Sequence, residues 1–216
     1  MRCMMAAIAM LLACGCVCAA GQDQAQTRKL ALAHTQSRNA DERLAAFAVL
    51  AKVGGQEDLP LIQSHLFDPD DRVRGTAEAA IWAIWSRSGD AAADRLFERG
   101  MQQMREGNLR IAVDTFGRVI AMRPGFTEAW NKRATVYFLL GEDELSLQDC
   151  DEVLKRNPQH FGVLAGYGQI YLRKGELQRA LDHFEQALAI NPNMPGVEAS
   201  IDALREALIK RGRRFI

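Results

Sequence analysis

The sequence is short of several things, and each shortage closes off a class of function. It has no excess charge of either sign, because 27 Lys and Arg balance 27 Asp and Glu. A nucleic-acid binder needs a basic surplus to displace counterions from phosphates, so no nucleic-acid partner is expected. Aromatic residues are few, with 3 Trp, 3 Tyr and 9 Phe in 216 residues, and the abundance of Ala, Leu, Glu and Arg leans the chain toward helix. Cysteine is almost confined to the N-terminus, where Cys3, Cys14, Cys16 and Cys18 crowd together and leave Cys150 alone downstream. His34, His65, His160 and His183 are isolated and lack metal-ligand spacing. There is no phosphate loop, no dinucleotide-binding glycine pattern and no nucleophile elbow. No catalytic residue, metal or cofactor is therefore expected, and the chain is read as a non-catalytic binding or assembly module, the alternative from another class being a small envelope enzyme or its regulatory subunit. Being 48% hydrophobic and 25% charged, it is still too apolar to be a disordered tail.

The first twenty residues have a character of their own. Arg2 is the single charge, an apolar run follows from Met4 to Ala20, and the chain turns polar at Gly21-Gln22-Asp23-Gln24. The run falls short of the roughly 20 residues that span a bilayer comfortably. A charged start, an apolar middle and the small exit Cys18-Ala19-Ala20 predict a cleavable secretory signal over residues 1–20. Cleavage there leaves Cys150 as the one cysteine, so no intramolecular disulfide is expected. The segment looks bacterial, which predicts a periplasmic protein. A second reading is that Leu11-Leu12-Ala13-Cys14 resembles the bacterial lipoprotein box, with Leu12 bulkier than usual, and that Cys14 carries a lipid anchor. Membrane association is expected only through one of these two devices.

A repeat fills the second half. Pro124, Pro158 and Pro192 recur every 34 residues, and Gly107, Gly141 and Gly175 recur at the same spacing. Coincidence has a probability on the order of 10⁻⁵ at background Gly and Pro frequencies. Each unit reads as two amphipathic helices. Leu164, Tyr167, Gly168 and Tyr171 form the face of one, and Leu177, Ala180, Leu181, Phe184, Ala187 and Leu188 that of the next. Glycine closes the first helix in a left-handed turn and proline stops the second. Beyond Pro192, Val197, Ile201, Leu204 and Leu208 predict a capping helix over 195–212.

These units resemble tetratricopeptide repeats. The third, 161–194, carries Gly168, Tyr171, Gly175, Ala180, Phe184, Ala187 and Pro192 at the family's offsets; the second, 127–160, carries Trp130, Tyr137, Gly141 and Pro158. The first, 93–126, carries Gly100, Gly107, Ala112, Phe116 and Pro124. Departures fall in the first two units: Arg99 and Arg133 occupy the usual leucine position, Gln103 replaces a tyrosine, and in the second unit Ser146 and Cys150 replace alanine and phenylalanine. Those small residues predict that it is the least tightly packed unit, with Cys150 buried as a small hydrophobe. His160 and His183 are expected in a turn and on a surface.

The resemblance implies a concave groove lined by the first helix of each pair, and with it a protein or peptide partner. Carried over position by position, the groove comprises Phe97, Met101, Met104 and Arg105 from the first unit. Asn131, Lys132, Thr135, Phe138 and Leu139 come from the second, and Gly166, Gln169, Leu172 and Arg173 from the third. Phe97, Gly162 and Gly166 stand where a carboxylate clamp needs cations, so a clamp on an acidic peptide end is not implied. Met and Phe suit an adaptable binding surface, while the alternative is that some of these side chains pack against neighbouring helices. Gly166, inside a helix with no local need for glycine, suggests a trough for a bound segment.

Residues 24–88 lack that frame but contain a shorter match. Arg43, Ala46, Val49 and Leu50 align with Arg74, Ala77, Ala80 and Ile81 at an offset of 31. With the turn at Asp68-Pro69-Asp70-Asp71, this resembles short bacterial HEAT-like repeats, the alternative being a generic helical cap. The fold class expected is all-α, a helical-repeat solenoid with a C-terminal capping helix, continuous through 86–90.

Overall fold

The structure is a computed structural model and describes residues 22–213. The signal segment and Cys14 lie outside those residues. Every regular element among the described residues is a helix, in agreement with the all-α expectation. The chain divides into two compact units, residues 1–84 and 85–216.

The first unit contains α1 (22–34), α2 (Ala40–Val53), α3 (Leu59–Ser64) and α4 (Asp71–Trp85) up to Ile84, with short 3-10 turns flanking α3; the last residue of α4, Trp85, belongs to the second unit. Phe47, Leu50, Ile62, Leu66, Val73, Ala77, Ala80 and Ile81 supply its apolar interior. The offset of 31 reappears in the hydrogen bonds. Asn39 caps α2 by accepting from the Asp41 amide, and Asp70 accepts from the Arg72 amide, each at 2.9 Å. Arg43 reaches back to the carbonyls of Ser37 and Arg38, and Arg74 reaches back to those of Asp68 and Pro69. Arg43 is itself buried and gripped by Asp68 through two bonds of 2.8 and 2.7 Å.

The second unit pairs α5 (Ala91–Arg105) with α6 (Leu109–Met122), α7 (Thr127–Leu140) with α8 (Asp143–Arg156) and α9 (Phe161–Arg173) with α10 (Leu177–Ile190), before α11 (Pro195–Arg213). Each pair turns on glycine. Gly107, Gly141 and Gly175 have φ of +76°, +78° and +74°, a region that a side chain would strain. The same two bonds close each first helix, as in Gly141 N to Phe138 O at 3.0 Å and Glu142 N to Tyr137 O at 2.9 Å. Second helices stop at Met122, Arg156 and Ile190, just ahead of the three prolines.

Two apolar clusters hold these helices. One gathers Phe97, Phe116, Val119, Phe126 and Val136; the other gathers Ala134, Cys150, Tyr167, Phe184, Ile201 and Leu204. Trp130 packs against both. Helix pairs approach closely where glycine faces phenylalanine. A methyl group on Gly168 would lie 2.4 Å from the Phe184 ring, and one on Gly100 would lie 2.7 Å from Phe116. Gly168→Ala is therefore expected to cost about 1–3 kcal/mol, despite alanine's better helix propensity. Urea unfolding checks this, and an unchanged or raised midpoint would show that the rings yield freely.

Candidate functional site

Between α7 and α9 lies a cleft of about 280 Å³ whose floor reaches α8. Asn131, Ala134, Thr135 and Phe138 line it from α7, Ser146 and Cys150 from α8, and Gly162, Val163, Ala165, Gly166, Gln169 and Ile170 from α9. Five groove residues expected from the sequence, Asn131, Thr135, Phe138, Gly166 and Gln169, meet here. A methyl group on Gly166 would find nothing within 4 Å, so this glycine opens space where Gly168 permits contact.

The remaining expected groove residues lie elsewhere. Phe97 is a core residue, buried beside Phe116 and Phe126 with ring centroids at 5.6 and 5.0 Å, and it is not part of this cleft's lining. Met101 and Met104 are half-buried against the same core. Arg105 points outward and donates to Gln102. Leu139 is exposed and absent from the cleft lining. Leu172 belongs to a different hollow, with Leu177, Ala199 and Ala203. Arg173 is tied to Asp143 and to the Phe138 carbonyl, with its guanidinium 3.8 Å from the Phe138 ring centroid. It braces the cleft wall rather than facing a ligand.

Lys132 is likewise engaged. Its ammonium lies 2.8 Å from Glu128, which is 1% exposed and also accepts from Asn131 at 2.9 Å. His160 completes this cluster; it follows the turn after Pro158 as expected, but it is buried rather than at the surface. It is 1% exposed, stacks on Trp85 with centroids at 4.2 Å, and places Nε2 3.1 Å from Glu128. Its Nδ1 accepts from the Val163 amide, so Nε2 must carry the proton donated to Glu128. Burial pushes the Glu128 carboxyl up, but the His160 bond and the Lys132 charge outweigh it and hold it down to about 2. Sequence reasoning missed this network because residues 32 apart, at opposite ends of the second repeat, carry no local signature.

The cleft walls are consequently almost without free charge or free polar groups. Thr135 donates to the Asn131 carbonyl at 2.9 Å and Ser146 to that of Ala134 at 2.8 Å. Burial pushes the Cys150 thiol up to about 12, so it is neutral. Among the described residues no three His, Cys, Asp or Glu are grouped so as to hold a metal ion, and no helix is long and apolar enough to cross a membrane.

A family profile of the tetratricopeptide repeat matches residues 126–193, the stretch that builds this cleft. The chain is similar to a TPR repeat-containing protein of Rhizobium etli, with 32% identity over 57% of this chain and 61% of that one. It spans less than two thirds of the length of the curated relatives it matches. Among solved structures it is similar to the first TPR of Spaghetti (RPAP3) bound to an HSP90 peptide. That match has 21% identity and a TM-score of 0.52, covering 54% of this chain and 93% of the other. It is also similar to the type III secretion chaperone SycD of Yersinia enterocolitica in complex with a peptide of the translocator YopD. There the identity is 14% and the TM-score 0.51, covering 55% of this chain and 95% of the other. At these identities the likeness establishes the helical-repeat fold of the second unit.

Proposed function

We propose that the chain is a non-catalytic docking module that holds a segment of another protein along the tetratricopeptide groove. One observation carries the reading, namely the open α7–α9 cleft, walled by apolar and uncharged side chains and shaped by a glycine that local packing does not require. Structural neighbours in complex with peptides of HSP90 and YopD support it. The position-by-position groove narrows accordingly to the second and third repeats. We further propose export through the N-terminal signal to a bacterial envelope, with a lipid anchor on Cys14 as the alternative. Resemblance of the first unit to HEAT-like repeats is supported by its 31-residue echo of caps and arginine bonds.

A photo-activatable crosslinker tests the docking reading in cells that produce the full chain. Placed at Gln169 on the cleft rim, it is expected to capture a partner that the same probe at Asp182, on the exposed face of α10, does not. Equal capture at both positions, or none at Gln169, would remove the groove from consideration.

A further inference from the structure

In the first and third repeats the second helix sends a phenylalanine, Phe116 or Phe184, against a glycine of the first helix, Gly100 or Gly168. The corresponding pair in the second repeat, 34 residues from either, is Cys150 and Ala134. A ring is missing there, and a methyl group has been added. Both residues line the cleft, so its floor lies where the flanking repeats are filled by their own aromatic side chain. Gly166, whose added methyl group would touch nothing, widens the same space from α9.

The surroundings decide what the space can accept. The nearby charges are already neutralised within the chain, Lys132 by Glu128 and Arg173 by Asp143. Thr135 and Ser146 spend their hydroxyl donors on backbone carbonyls, and Asn131 donates to Glu128. A carboxylate entering such a site would lose its hydration and gain no cation, whereas a hydrocarbon side chain would lose only water contact. At the rim, the exposed Gln169 has no hydrogen-bond partner among the described residues and can pair with a backbone amide.

We propose that the cleft is completed by one bulky uncharged side chain of a partner segment, a phenylalanine, leucine or methionine, seated in the volume left by the missing ring. The inference rests on the docking reading and adds to it the chemistry of the anchor. It also commits to a partner whose recognised segment presents an apolar residue rather than an acidic chain end.

A random linear peptide library selected against the full chain tests it, with binding of the enriched peptides measured by fluorescence anisotropy. Two variants close the cleft. Ala134→Gly with Cys150→Phe restores the glycine–phenylalanine pair of the other repeats, and Gly166→Leu fills the space from α9 with a better helix former. Enriched peptides are expected to share one bulky uncharged residue and to bind both variants at least roughly tenfold more weakly than the parent. If the double variant melts below the parent, Gly166→Leu alone decides. Enriched peptides that bind the folded variants as well as the parent would overturn the anchor while leaving docking intact. A fixed acidic residue in the enriched set would also overturn it. If no peptide is enriched, the docking reading fails and the anchor falls with it.

Discussion

Asp68→Ala lowers the stability of the first unit by about 3–5 kcal/mol, the loss expected when one partner of a buried ion pair is removed. The Asp68 side chain is 3% exposed and that of Arg43 11%, so the orphaned guanidinium cannot recover its hydration in place. Asp68 also accepts from the Asp70 amide at 3.0 Å and faces His65 at 3.2 Å. The substitution therefore loosens the turn into α4 as well. Burial pushes the Asp68 carboxyl up, but its bonds to Arg43, the Asp70 amide and His65 bring it below the usual carboxylate range. Replacing both partners by leucine is expected to recover most of the loss, because the cost lies in stranding a charge rather than in lacking a pair. Hydrogen exchange of the α2 amides in the single and double variants checks both statements. A single-variant loss under about 1 kcal/mol would show that the pair is already solvated.

Glu128→Ala is the second large effect, again about 3–5 kcal/mol, this time in the second unit. The substitution leaves the Nε2–H of His160 without an acceptor, and the ring cannot switch tautomer while Nδ1 accepts from Val163. It also removes the bonds that Asn131 and Lys132 make to this carboxylate. The pH dependence has a definite sign. An unfolded Glu128 takes up its proton near 4.5 and the folded one at about 2, so its contribution is complete above pH 4.5. It fades as the pH falls through that interval and is gone below about 2. The urea midpoint of the parent should therefore fall more steeply between pH 4.5 and 2 than that of Glu128→Ala, whose remaining carboxylates serve as the reference. Parallel curves would show that the carboxylate is not specially held.

The helical fold of the second half was legible because its punctuation is covalent. Gly107, Gly141 and Gly175 must take positive φ, and Pro124, Pro158 and Pro192 cannot continue a helix, whatever surrounds them. Of the groove positions expected from the sequence, those that line the α7–α9 cleft come from the second and third repeats. Position within a repeat says which face a residue occupies but not whether its own chain already engages it. Phe97 is lost to its aromatic neighbours, and Lys132 and Arg173 are spent on Glu128 and Asp143. The reverse failure is His160, which sits in a turn by sequence yet is sealed by Trp85 and Glu128, partners 75 and 32 residues away. Cys150 gave the most useful signal, because a departure from the repeated phenylalanine marks where volume is absent.

The paired apolar clusters that meet at Trp130 give the second unit two joined compartments instead of one undivided interior. Ala134, Cys150 and Val163 border the cleft and belong to the compartment that also holds Val197, Ile201 and Leu204 of the terminal helix. An occupant of the cleft would thus firm up the C-terminal end of the array while leaving α5 and α6 much as they were.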